Sequence, residues 1–278
     1  MSDEESSIYS KTWDTYVSKG FPEIQAKPAR KPGDLLPWQV LNTTDETYNW
    51  PGDEWGNAAS VEKILRTCVL NHLPADARNF CEIGSGAGRI TAALLGSFPK
   101  ASIDCFDVSA EFLKQIEQRF PDKISSGQVT TNVISKDPKA MYLTLKQSGR
   151  VRKLECIYSF DAMVHVELHS VLIYMAIAAA VLKPGGLLTM SVADATNSKG
   201  FQKALCNAPG VFSQGGCAGL HFQFMSPDIL ATALHAFGFE YKLYDCNGRD
   251  LFFSGQLTDM DAAERSFRSA GSGWNLSL

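Results

Sequence analysis

Several things are missing from this 278-residue chain, and each absence removes a class of function. Its seven cysteines include no C-x-x-C pair and are odd in number, which argues against a zinc knuckle, a thioredoxin-type motif and a full disulfide framework. Cys81, Cys105 and Cys156 lie in short apolar runs, where a reduced thiol acts as a small hydrophobe. Charge of one sign is also missing. With 26 basic residues against 30 acidic ones the formal charge is −4, and the basic residues are scattered, so there is no electrostatic case for nucleic acid. The longest apolar run, Val171 to Leu182, is far shorter than the roughly 20 residues of a membrane span and reads as a buried helix. Met1 to Ser7 is acidic and polar where a secretory leader would be basic and then apolar, so a cytoplasmic protein without a membrane partner is expected. A hydrophobic content of 45% allows one large or two small domains with a sizeable core.

Glycine, by contrast, is concentrated. The stretch FCEIGSGAGRIT, residues 80 to 91, places Gly84, Gly86 and Gly88 behind a short apolar run, with Glu82 just ahead. A dinucleotide fingerprint would put its third glycine at position 89, where this chain has Arg89. No Gly-Lys-Ser/Thr follows, which excludes a P-loop. An acid ahead of the bend repels phosphate and attracts an ammonium group. The bend therefore asks for a cationic nucleoside.

Around it the pattern alternates. Residues 1–56 read as an irregular, aromatic-rich cap holding four of the five tryptophans. A helix is expected at Asn57 to Asn71, and strands at NFCEI, ASIDCFDV, QVTTNVI, LECIYSF and GLLTMSVAD alternate with helices at Arg89 to Phe98, Ala110 to Phe120, Lys139 to Gln147 and Val166 to Leu182. KPGG reads as the turn before the fifth strand. This is the signature of an α/β, doubly wound, mostly parallel sheet with helices on both faces. Residues 193–226 break the rhythm as a long insertion over the mouth, a helix resumes at Pro227 to Phe237, and FEYKLYD and DLFFSGQL flank an Asn247-Gly248 hairpin. The tail after Leu257, residues 258–278, reads as mobile.

With these residues in hand the chain resembles the class I S-adenosylmethionine-dependent methyltransferases. The resemblance rests on EIGSGAGRIT, DCFDVSAEFL, IYSFDAMVHV, VLKPGGLLTM and the closing hairpin, over about residues 57–257. It implies a seven-stranded Rossmann-like sheet in the order 3-2-1-4-5-7-6 with the seventh strand antiparallel, and S-adenosylmethionine as cofactor. GDEWG and the SFDxxVHxE pattern are most similar to small-molecule enzymes of biosynthetic pathways.

The same resemblance assigns roles. Glu82 would meet the methionyl ammonium, beside backbone freed by Gly84, Gly86 and Gly88, with Ser85 and Arg89 in the same loop. Asp107, at the end of the second strand, would take the ribose hydroxyls; Asp104 competes but sits mid-strand. Val108 and Phe112 could line the adenine, and Ser135 or Asp137 could meet its amino group. Phe160 and Asp161 would stand beside the sulfonium, and Trp55 either closes over the cofactor or anchors the cap. His165 is the nearest candidate base, with the pKa of an ordinary imidazole suited to neutrality, or else a structural histidine; His221 in the insertion is the second candidate. A metal on the HVELH run, with His165 and His169 one helical turn apart, lacks the glutamate placement of a zinc protease, so none is expected. The resulting expectation is an enzyme methylating a small molecule, on oxygen rather than nitrogen or carbon. A nucleotide-dependent oxidoreductase and a non-catalytic cofactor-binding module are the rivals.

Overall fold

The computed structural model describes residues 3–25, 48–134, 138–212 and 221–269. The aromatic-rich N-terminal segment is helical where an irregular cap is expected: α1 (Asp3–Thr15) runs through a π-turn (Tyr16–Gly20) into α2 (Phe21–Gln25), burying Val17 and Phe21. Residues 26–47 lie outside the described set. After a short turn at Asp53–Trp55 the alternation begins, with α3 (Ala58–Cys68), β1 (Asn79–Ile83), α4 (Arg89–Ser97), β2 (Ser102–Asp107), α5 (Ala110–Arg119), α6 (Pro121–Ser125) and β3 (Val129–Val133). It continues through α7 (Lys139–Gln147), β4 (Leu154–Ser159), α8 (Leu168–Val181) and β5 (Leu182–Asp194). The insertion then supplies α9 (Ser198–Phe212) and a two-residue β6 (Phe224–Met225), followed by α10 (Pro227–Ala236), β7 (Phe239–Asp245), β8 (Asp250–Leu257) and α11 (Ala262–Ser269).

The main sheet runs β3-β2-β1-β4-β5-β8-β7, which is the order the resemblance implies once the short β6, paired parallel to β5, is set aside. The first five strands are parallel, and β8 lies antiparallel to both β5 and β7. KPGG does not precede the fifth strand but bulges within it: Leu182 pairs with Leu154, and the register then jumps so that Leu187 faces Cys156. Pleating sends Cys81, Ile83, Phe106, Ile157 and Leu188 to the face under α8, and Phe80, Ile103, Cys105 and Tyr158 to the face under α4. Glu82 must therefore share the second face, among apolar neighbours.

Local chemistry fixes the helix starts. The side chains of Asn57, Ser109, Glu167 and Ser226 each accept backbone N–H groups at the heads of α3, α5, α8 and α10. α8 is apolar nearly all round and buried along most of its length, so only the sheet and its flanking helices could hold it. The tail expected to be mobile begins with α11, which buries Ala262 and Ala263; residues 270–278 lie outside the described set. Among the described residues no helix is long and apolar enough to cross a membrane.

Candidate active site

The order of strands along the sheet changes direction between the parallel β1 and β4, which opens a crevice at the carboxyl ends of the strands. A cavity of about 670 Å³ occupies it, with Glu82, Asp107, Asp161 and His165 on its wall. That volume falls within the roughly 300–1,000 Å³ of ordinary small-molecule sites.

The glycine bend does more than clear room for a ligand. Gly84, Gly86 and Gly88 all have left-handed φ of 71°, 53° and 79°. A Cβ on Gly84 would lie 2.2 Å from the Ala162 Cβ, and one on Gly88 would lie 2.7 Å from the Phe120 ring. Backbone handedness and packing against β4 and α5 therefore set these two glycines. The expected cofactor clearance applies best to Gly86, whose added Cβ would meet only Phe112, at 3.9 Å. Ser85 lines the cavity with its buried Oγ lacking a hydrogen-bond partner.

Glu82 is 2% exposed. Register places it beside Tyr158 of β4, whose hydroxyl donates to Oε2 at 2.9 Å, and Thr91 of α4 donates to the same oxygen. Burial outweighs these two donors and pushes the carboxyl up to about 8, so it is mostly protonated at neutral pH.

Asp107 holds the bend closed. Its Oδ2 accepts the Gly86 N–H and its Oδ1 the Ser109 N–H, each at 2.8 Å. Burial pushes it up to about 6 against the pull of those bonds. Ribose hydroxyls would have to share oxygens that already accept backbone donors, which a carboxylate's remaining lone pairs permit. Asp104 is occupied elsewhere, accepting from Thr130 at 2.9 Å and pairing with Arg150 at 2.7 Å.

Asp161 has a left-handed φ of 62°. Its N–H donates to Ser191 Oγ at 3.0 Å, while Arg89 pairs with one carboxylate oxygen at 2.6 Å and Arg249 with the other at 3.4 Å. Burial opposes the charge, yet the two guanidinium groups hold the carboxyl below its usual range. Arg89 lines the cavity, so the side chain that departs from a dinucleotide fingerprint is instead a counter-ion for Asp161.

His165 sits in a one-turn 3-10 helix, residues Met163–His165, ahead of α8. Its Nδ1 lies 3.3 Å from the carbonyl of His221, a geometry that makes Nδ1 the protonated nitrogen and leaves the Nε2 lone pair free to accept. Trp13 and Phe222 press their rings edgewise against it at 5.3 and 5.0 Å. Burial pushes the imidazole down to about 4, so the expectation of an ordinary histidine pKa is corrected. His221 contributes this carbonyl, and its side chain does not line the cavity. His165 and His169 are not paired on one helix: Glu167 caps α8 between them, and the exposed His169 ring turns back to Glu167 at 3.0 Å.

Trp13, Tyr16, Trp55 and Phe112 interlock at centroid distances of 5.3 to 6.2 Å. Trp55, Phe112 and Val108 line the cavity together with Tyr9 and Trp13 of α1. Phe160 reaches it from between Tyr158 and Phe252. Ser135 and Asp137 lie outside the described residues.

A family model described as a methyltransferase domain matches residues 57–243. The chain belongs to this methyltransferase family. No curated relative matches the sequence. Among solved structures, the magnesium protoporphyrin IX methyltransferase of Synechocystis PCC 6803, with bound SAH, superposes with a TM-score of 0.56 at 14% identity, over 89% of this chain and 99% of that one. An O-methyltransferase family protein from Burkholderia thailandensis gives 0.54 at 17%, covering 72% and 58%, and the CurJ carbon methyltransferase gives 0.52 at 13%, covering 72% and 54%. The chain thus spans little more than half the length of the last two, and at such identities the likeness is one of fold.

Several partners around the cavity were not legible as site residues. Tyr158 becomes Glu82's neighbour only once β1 and β4 are paired in register. Thr91 faces Glu82 from the first turns of α4, a signal present in the helical spacing of GRIT. Arg249 follows the hairpin turn and reaches Asp161 across the β5–β8 pairing, which no local pattern announces.

Proposed function

We propose that this protein transfers a methyl group from S-adenosylmethionine to a hydroxyl oxygen of a small, largely apolar acceptor, in the cytoplasm and as a step in biosynthesis. The donor supplies a methyl already activated on positive sulfur. The residues fit such a molecule: a buried protonatable carboxyl for its ammonium, a second acid at the end of the neighbouring strand, Ser85 Oγ without a hydrogen-bond partner, and aromatic rings on the same wall. α1 with its aromatic residues, and the insertion carrying Phe222, would exclude water and orient the acceptor over the same mouth.

One observation carries the choice of oxygen: His165 lines a cavity walled by rings, and its Nδ1 is taken by the His221 carbonyl, which leaves Nε2 as the nitrogen able to accept a proton. A neutral imidazole of low basicity does not deprotonate a resting alcohol. As the carbon–oxygen bond forms, the hydroxyl proton becomes strongly acidic, and a weak, dry, well-aimed acceptor then suffices. The test is a panel of hydroxyl, amine and carbon-acid acceptors with labelled donor, read by mass spectrometry. His165→Ala is expected to lose turnover about 10²-fold or more on a hydroxyl acceptor with little change in donor affinity. Near-normal turnover would move the acceptor atom to nitrogen or carbon.

A further inference from the structure

The insertion reaches His165 through a residue that does not itself line the cavity. Two bonds straddle Phe222 in sequence: the His221 carbonyl lies 3.3 Å from His165 Nδ1, and the Gln223 N–H donates to the Val164 carbonyl at 2.8 Å. Between these anchors the half-buried Phe222 ring stands across the imidazole, with centroids 5.0 Å apart and planes at 89°. Two cations from other elements lie over the same ring. Lys203 Nζ of α9 is 4.7 Å from its centroid and the Arg249 guanidinium of the hairpin 4.9 Å, both inside the roughly 6 Å over which a ring face attracts a cation. Arg249 is held in turn by Asp250 at 2.5 Å and Asp161 at 3.4 Å.

We propose that Phe222 is the positioning residue of His165: its ring, clamped by Lys203 and Arg249, fixes the imidazole in the neutral, Nδ1-protonated form that leaves Nε2 for the acceptor's proton. The inference rests on the reading of His165 as proton acceptor. A flip of the imidazole would take Nδ1 away from the His221 carbonyl, and the rings of Phe222 and of Trp13, the latter at 5.3 Å, stand against that rotation. Charge reaches His165 from three elements. Asp161, after β4, favours the imidazolium, whereas Arg249 and Lys203 oppose it together with burial. From α1 come the Trp13 ring and the Tyr9 hydroxyl, which donates to the His165 carbonyl at 3.4 Å. By gathering the two cations onto its face, Phe222 keeps them beside the imidazole it orients. One ring thus sets both the aim and the protonation state of the base.

The experiment follows the His165 ring nitrogens by 15N NMR through a pH titration of the full chain without ligand, the signals being assigned by their loss in His165→Ala. The unsubstituted protein and Phe222→Tyr should show one Nδ1-protonated tautomer, about 90% neutral at pH 5. Phe222→Leu, which keeps bulk but removes the aromatic face, should show mixed tautomers and a titration raised by about one pH unit or more toward the ordinary 6.5. Its turnover on a hydroxyl acceptor should fall about tenfold, with donor affinity within about twofold of the unsubstituted protein. Lys203→Met keeps the ring and removes one cation, so the tautomer should stay single while the titration rises. Unchanged tautomer and titration in Phe222→Leu would overturn the proposal whatever happens to turnover. So would a Phe222→Tyr that behaves like Phe222→Leu. If Phe222→Leu fails to fold, an unmoved titration in Lys203→Met overturns it instead. Near-normal turnover in His165→Ala would remove the proton-acceptor reading and leave these nitrogen signals as they are, so the two failures are told apart.

Discussion

Donor binding should release a proton, because Glu82 must ionise to meet the ammonium. With the carboxyl at about 8, roughly 90% of the resting protein is protonated there at pH 7, and removing that proton costs about 1.4 kcal/mol of binding energy. If the bound form pairs an ionised Glu82 with a protonated donor amine, apparent donor affinity rises about eightfold from pH 6 to 7 and about 20-fold from pH 6 to 8. Above about pH 8 the donor's own α-amino group, with an ordinary pKa of about 7.7–8.0, loses the charge that Glu82 binds, so affinity turns over. Asp107, at about 6, titrates mainly below this window, which leaves the range above pH 7 to Glu82. Without ligand the sign reverses. The folded pKa is raised, so stability from this group is full below the unfolded value near 4.5 and falls through pH 8, by about 5 kcal/mol. Calorimetry at pH 7 in two buffers of different ionisation enthalpy should give about 0.8 protons released per donor bound, the ionisation of Glu82 less the small uptake by the donor's amine. Glu82→Gln keeps an acceptor for Thr91 and Tyr158, removes the proton release and flattens affinity between pH 6 and 7.5. No proton release in the unsubstituted protein, or the same release in Glu82→Gln, would refute the assignment of the ammonium to Glu82.

Asp107→Ala strands the Gly86 and Ser109 N–H groups at about 1–3 kcal/mol each, so donor affinity and melting temperature should fall together; unchanged affinity in calorimetry would remove the ribose assignment. Gly84→Ala combines the 2.2 Å approach to Ala162 with a left-handed φ and should lower stability by about 1–3 kcal/mol or more, read as a reduced urea midpoint. Asp14→Ala releases α1 from α5 by deleting the 2.6 Å bond from Ser109 Oγ and the weaker one from the Glu111 N–H. At about 1 kcal/mol this should speed donor dissociation about fivefold in stopped-flow tryptophan fluorescence, and an unchanged rate would make α1 a static cover.

The sheet was legible because its signals are local and repeated: β1, β2 and α7 fall within a residue or two of their sequence boundaries, and the caps at Ser109 and Ser226 are short-range chemistry. The glycine bend and its two acids were legible for the same reason. The N-terminal helix was not. Its segment lacks a clean apolar period, and what stabilises it is tertiary, the packing of Trp13 and Tyr16 on Phe112 and the latch from Asp14 to Ser109. The pKa values of Glu82 and His165 were equally hidden, since each follows from burial that only the assembled layers create.

Charge pairing in the cavity explains why one carboxyl is left without a cationic partner. Asp161 is balanced by Arg89 and Arg249, and Asp107 is held by backbone N–H groups, but Glu82 has only two neutral hydroxyl donors, too little to keep a charge in so dry a place. His165, partly buried and pushed down to about 4, is neutral as well at pH 7. The resting wall therefore carries less charge than its residues imply, and an incoming cation creates the partner charge it needs by expelling a proton. A neutral ligand of the same shape gains nothing from that ionisation, whereas the donor's ammonium gains an ion pair shielded from water. If the ammonium meets Glu82 as proposed, selection for a cationic nucleoside over an uncharged one resides in the burial of Glu82, and relaxing that burial, for instance by enlarging the space around Tyr158, should cost discrimination before it costs the fold.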